Sequence, residues 1–138
     1  LGTNPDLLDE FAMSRDDLRC VVSLDSAAYE VSEDDVRSKG LFESAFGTDP
    51  VVLADASPTV QAVEHAGDMP EFIIVTRGTE TRTAEAEAFA EALEAAGSSA
   101  ELVHAGGYSH EEVNTAVGDD GEDVVTPPVR RFLESCLR

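Results

Sequence analysis

The feature that most constrains this chain is a short, unbroken apolar run near its middle. Glu71 to Thr76 (EFIIVT) is entered after Pro70 and left through Arg77-Gly78. A run of this kind, without alternation and bounded by turn residues, predicts a strand buried on both faces, central in a parallel sheet.

The flanking segments supply what such a sheet requires. Leu18 to Leu24 (LRCVVSL) is a second short apolar run, and Ala100 to Ala105 (AELVHA) a third. Between the second and third strands in chain order, Arg82 to Ala96 places Ala86, Phe89, Ala90 and Leu93 on one stripe and ends at Gly97, which predicts an amphipathic helix. Ser14 with Asp17 marks a single helical turn, and Ser32 to Gly47 reads as an amphipathic helix weakened by Gly40. Ser57-Pro58 supplies an N-cap and first-turn proline for a two-turn helix ending by Gly67. A short helix is expected over Glu111 to Val117. After the acidic loop Gly118 to Asp123, the residues Val129, Phe132, Leu133, Cys136 and Leu137 share one face of a final helix. This order predicts an α/β fold: right-handed crossovers, a parallel sheet in a three-layer α/β/α sandwich, and a single domain over residues 1–138. Three strands make a thin sheet, and the first would be an exposed edge, so further strands are expected upstream.

Composition narrows the partners. The chain carries 29 acidic and 9 basic residues, a net charge of −20, and Lys39 is its only lysine. Such a polyanion repels nucleic acid and anionic membranes. The acids are spread along the chain and spaced by helical apolar positions, which reads as a solvated surface; an acidic docking face is the competing reading. Cys20 and Cys136 are few and far apart in apolar settings, so buried free thiols are expected, and the shortage of cysteine pairs favours the cytoplasm. No apolar run reaches the length of a membrane span.

In an open parallel sheet, ligands meet the chain at the carboxyl ends of the strands. Two polar clusters fall there: Arg77-Gly78-Thr79-Glu80-Thr81 after the second strand and Gly106-Gly107-Tyr108-Ser109-His110 after the third. A histidine beyond one strand and an acid beyond its neighbour form the pairing that orients an imidazole as a general base. His104, within a strand, reads as structural and His65, on a helix, as exposed. Ser109 is adjacent to His110 and so poorly placed as a nucleophile, and Ser23, Ser26 and Ser44 receive no role. No histidine or carboxylate spacing suggests a metal, and no cofactor is expected.

From Ala56-Ser57-Pro58 through PEFIIVTRGTE, AEAFAEALEAAG and AELVHAGGYSHEEVN to the last helix, the chain resembles the C-terminal half of an α/β-hydrolase of the esterase, lipase and arylformamidase type. Leu18 to Tyr29 resembles the strand and loop that follow that family's nucleophile helix, and LGTNPDLL the tail of that helix. The resemblance implies that Gly107-Tyr108-Ser109-His110 is the loop bearing the triad histidine, so His110 inherits the base role. The family's aspartate would fall at Thr81, which cannot serve, and the adjacent Glu80 is its expected substitute. The G-x-S-x-G elbow of the family is absent from this sequence and would lie shortly before Leu1.

The expected function is therefore that of the C-terminal part of a serine hydrolase acting on carboxylic esters or small amides, with residues 31–48 as a cap-like helical segment. Alone, the chain should be inactive. A non-catalytic binding or assembly module is the alternative, pairing through the first strand with a second copy or a missing N-terminal segment.

Overall fold

The computed structural model describes residues 2–26, 28–32, 40–67 and 69–138. The chain begins with a single helical turn, α1 (Asp6–Asp9), followed by a 3-10 turn at Arg15–Asp17 and strand β1 (Cys20–Leu24). Ser14 and Asp17 close a reciprocal capping box on the 3-10 turn, as their spacing implies. Three short helices follow: α2 (Gly40–Phe46), α3 (Pro50–Asp55) and α4 (Pro58–Glu64). Then come β2 (Glu71–Thr76), α5 (Glu80–Ala95), β3 (Ala100–His104), α6 (His110–Ala116) and α7 (Thr126–Cys136).

The three strands form one parallel sheet in the order β1-β2-β3. Val22 pairs with Ile73 across the first seam and Ile74 with Leu102 across the second. The expected α/β class and the central, parallel placement of β2 both hold. Every residue of β2 after Glu71 is buried, because alternate side chains enter separate cores on its two faces. Phe72 and Ile74 pack with Ala86, Phe89, Ala90 and Leu93 of α5 and Ala62 of α4. Ile73 and Val75 pack with Val113 and Ala116 of α6 and with Val129 and Phe132 of α7. Helices thus cover both faces of the sheet, which is what an unalternating strand demands.

Strand β1 is half-buried along its whole length. Among the described residues it pairs only with β2, so its outer edge has no strand.

Several local expectations are adjusted by tertiary contacts. Ser57 has the extended backbone of an N-cap, but its hydroxyl accepts from the Val31 amide at 2.8 Å and donates to the Leu53 carbonyl at 2.7 Å. It thereby ties α3 and the loop after β1 together instead of capping α4. Helix α3 is absent from the sequence reading. Its signal is Asp49-Pro50, with the Asp49 carboxylate accepting from the Val51 amide at 2.9 Å. Of the expected helix over Ser32 to Gly47, residues 33–39 lie outside the described residues, as does that part of the cap-like segment 31–48. The remainder forms α2, and Phe42 and Phe46 pack beside the buried pair Val31 and Leu53.

The cysteines require a correction. Cys20 and Cys136 are joined in a disulfide, with Cα atoms 6.2 Å apart, and are not free thiols. A separation of 116 residues gave no hint of this. The pairing arises because α7 packs back along the sheet and ends beside the start of β1. It also removes the argument for the cytoplasm that rested on unpaired thiols. Among the described residues no helix is long and apolar enough to cross a membrane.

Candidate active site

The carboxyl ends of the strands converge on one side chain, Asp25, the residue after β1. Its amide donates to the Val75 carbonyl at 2.8 Å, extending the β1–β2 ladder by one bond. There the chain turns sharply: Asp25 has φ +52°, in the left-handed region that aspartate and asparagine tolerate better than most residues. The loop beyond is anchored by Tyr29. The Tyr29 carbonyl accepts from the Thr59 amide at 2.8 Å and the Thr59 hydroxyl at 2.9 Å. The Tyr29 ring stacks on Phe89 with centroids 4.6 Å apart.

The Asp25 side chain is wholly buried and meets three basic groups from three other places in the chain. Arg77, just past β2, donates its Nε to Oδ2 at 2.7 Å. Arg82, in the first turn of α5, donates Nη2 to Oδ1 at 2.7 Å and to the Asp25 carbonyl at 3.2 Å. His110, the first residue of α6, places Nδ1 2.8 Å from Oδ2. Burial pushes the Asp25 carboxyl up, but the hydrogen bonds from His110, Arg77 and Arg82, with the charge of Arg82, outweigh it and hold the group below the ordinary carboxylate range.

That balance fixes the histidine tautomer. An ionised carboxylate only accepts, so Nδ1 of His110 carries a proton and donates it to Oδ2. In the uncharged form of an imidazole whose Nδ1 holds the proton, Nε2 carries the lone pair. Among the described residues Nε2 has no hydrogen-bond partner, and the His110 side chain is 62 % exposed. The ring is held from below and open above, the arrangement of a general base awaiting a proton donor.

Helix α6 sets this position. Ser109 and Glu112 form a capping box in which the Glu112 carboxylate accepts from the Ser109 amide at 2.7 Å and the Ser109 hydroxyl accepts from the Glu112 amide at 3.2 Å. Those bonds hold the Glu112 carboxyl low and commit the Ser109 hydroxyl to capping. The Asn114 side-chain Nδ2 donates to the His110 carbonyl at 2.8 Å, adding a further tie within the helix.

Glu80 does not fill the role expected of it. It is the first residue of α5, exposed, and the acid on His110 is Asp25. The physical reason is local: Thr79 caps α5, so Glu80 enters the helix and lies along its first turn. His104 ends β3 with an exposed side chain, so it is not part of the core. His65 is half-buried at the end of α4, its carbonyl accepting from Arg15 at 2.9 Å. The Ser23 hydroxyl is spent on Tyr29, 2.7 Å away. Asp25 and Arg82 were missed in the sequence. The signal available was an isolated acid directly after an apolar strand, in Leu24-Asp25-Ser26, at the same end of the sheet as the loops after the second and third strands.

Among the described residues no group of three or more histidine, cysteine, aspartate or glutamate side chains is placed to hold a metal ion. Compared with known proteins, the chain matches no family model, no curated protein and no solved structure.

Proposed function

We propose that Asp25 and His110 are the acid and base of a hydrolytic site. In this reading the chain is the C-terminal part of a serine hydrolase acting on carboxylic esters or small amides, and its α/β sheet is the corresponding half of an α/β-hydrolase. The observation that carries the reading is the 2.8 Å contact between Nδ1 of His110 and a fully buried, ionised Asp25, with Nε2 left open.

The chemistry follows from the tautomer. Nε2 accepts the proton of a serine hydroxyl as its oxygen bonds to the substrate carbonyl carbon. The imidazolium so formed is stabilised by Asp25, and it returns the proton to the departing alcohol or amine as the carbon–heteroatom bond breaks. Water, deprotonated in turn by Nε2, then releases the acid. No described residue supplies the serine. A strand added along the free edge of β1 would bring one to the same end of the sheet as His110.

The test is turnover of a neutral p-nitrophenyl ester by the complete gene product, with fluorophosphonate labelling. Labelling at a serine, loss of turnover in His110→Ala, and a drop of about 10⁴-fold in kcat for Asp25→Asn are expected, since the amide presents the wrong partner to Nδ1. Labelling that fails, with turnover unchanged in both variants, overturns the reading.

A binding or assembly module is the second reading, favoured by one observation: Asp25 ties β1 to Arg77, Arg82 and His110 at once. A purely structural tie predicts that Asp25→Asn lowers stability while no serine is ever labelled.

A further inference from the structure

We propose that Arg77 forms, beside His110, a subsite for a carboxylate borne by the substrate, so that the preferred substrates are half-esters or half-amides of short dicarboxylic acids. This rests on the hydrolytic reading of His110 and adds to it the substrate class.

The geometry of the shared oxygen carries the inference. Arg77 Nε and His110 Nδ1 both bond Oδ2 of Asp25, at 2.7 and 2.8 Å. One oxygen therefore holds the guanidinium and the imidazole side by side at the strand ends. Asp25 uses only the Nε–H of Arg77. Both Nη groups, four N–H donors, have no hydrogen-bond or ion-pair partner among the described residues. They are not sealed in the protein, because the Arg77 side chain is 24 % exposed.

The exposed Arg131 is paired with Glu101. Among the described residues the carboxylate that Arg77 meets is the buried Asp25, which it shares with Arg82. Two guanidinium groups and the imidazole thus meet one carboxylate. A guanidinium edge with both Nη groups unspent matches a carboxylate in a planar, two-point fork. The carbonyl to be attacked must reach the neighbourhood of Nε2, while the fork sits one shared oxygen away. A short spacer between the two groups of the substrate meets both demands.

The experiment uses the full chain and a probe that cannot be hydrolysed. 4-Oxopentanoate keeps the carbonyl and carboxylate of a succinate half-ester, and 4-oxopentanamide is its neutral counterpart. Side-chain NMR signals of Arg77 Nε and His110 Nε2 are followed during titration. Saturable shifts of both with the carboxylate, and binding weaker by at least about 10-fold for the amide, are expected. Arg77→Met should weaken the carboxylate by a similar factor. Arg77→Lys, which keeps the charge without the fork, should fall between, and it answers the question if the methionine variant does not fold. Equal shifts with the amide, unchanged affinity in the variants, or tighter binding of inorganic phosphate would each overturn the proposal. The hydrolytic reading fails separately: carboxylate binding without any serine labelling in the complete gene product leaves the subsite standing and removes the reaction. Turnover of neutral esters with no preference for half-esters does the reverse.

Discussion

Asp25 concentrates more of this molecule's electrostatics than any other described residue. Its carboxylate has no access to solvent, and both oxygens are filled by charged or ring N–H donors. Replacing it by asparagine retains the shape and the left-handed backbone while removing the charge that Arg77 and Arg82 were placed to meet. Truncating one member of a buried ion pair costs about 3–5 kcal/mol, and the lower end applies here because both arginines can relax toward water. Urea unfolding of Asp25→Asn at neutral pH should therefore show a loss near 3 kcal/mol; a loss within error of zero would mean that the arginines repair themselves in solvent. The same residue sets a pH dependence. Because its folded pKa lies below the unfolded value, its contribution is complete above the unfolded carboxyl range and is lost as pH falls through the lowered folded value. The difference in unfolding free energy between wild type and Asp25→Asn should shrink on acidification, whereas a constant difference from neutral pH to strong acid would contradict the assignment.

Helix α7 shows how an element can be started by a residue outside it. Its residues Thr126, Pro127 and Pro128 have no preceding serine, threonine, aspartate or asparagine cap, and Val125 at the N-cap offers no side-chain acceptor. Glu122 takes over: its carboxylate accepts from the amides of Val124 at 2.6 Å, Val125 at 2.8 Å and Thr126 at 2.5 Å, and from the Tyr108 hydroxyl at 2.7 Å. Burial pushes this carboxyl up, but the backbone amides and Tyr108 win and bring it down to about 2. The Tyr108 phenol, bound to that anion, is pushed up to about 12. Glu122→Gln should destabilise the fold by about 1 kcal/mol, the scale of a lost N-terminal cap. The folded value of about 2 lies below the ordinary 4.5, so this loss should be visible above pH 4.5 and fade as the pH falls toward 2. Thermal melts of the two proteins at neutral pH and at pH 2 check it; a gap that persists in acid would place the stabilisation elsewhere. Elements with a self-contained pattern were legible in the sequence, such as α5, whose Ala86, Phe89, Ala90 and Leu93 are all buried and whose stop Gly97 has φ +92°. A start made by a loop acid, or a serine such as Ser57 diverted to another segment, is a tertiary choice that local spacing does not encode.

On the scale of the whole chain, the parallel order was readable because an apolar run buried on both faces has few other homes, while the meeting points of distant segments were not. Asp25 and His110 are 85 positions apart, and only the pairing of β1, β2 and β3 brings their loops together, whereas Glu80 was expected as the acid because it adjoins Thr81, the position the family resemblance assigns to it. The disulfide is the same case at the opposite end of the sheet. Cys20 opens β1, one of the two strands with an unpaired edge among the described residues, and Cys136 ends α7, which packs on β1 and β2 through Val129 and Phe132. The bond therefore braces an edge strand against the last helix. Closing a loop of 116 residues removes unfolded-state entropy worth roughly 4–5 kcal/mol in the chain-entropy model, and measured losses on removing native disulfides run at about 2–5 kcal/mol. Cys20→Ser with Cys136→Ser should fall in that range by urea unfolding, and hydrogen exchange should show the amides of β1 and α7 opening before those of β2 and α5. Uniform acceleration across all four elements would instead indicate that the bond supports the fold as a single cooperative unit and gives β1 no protection of its own.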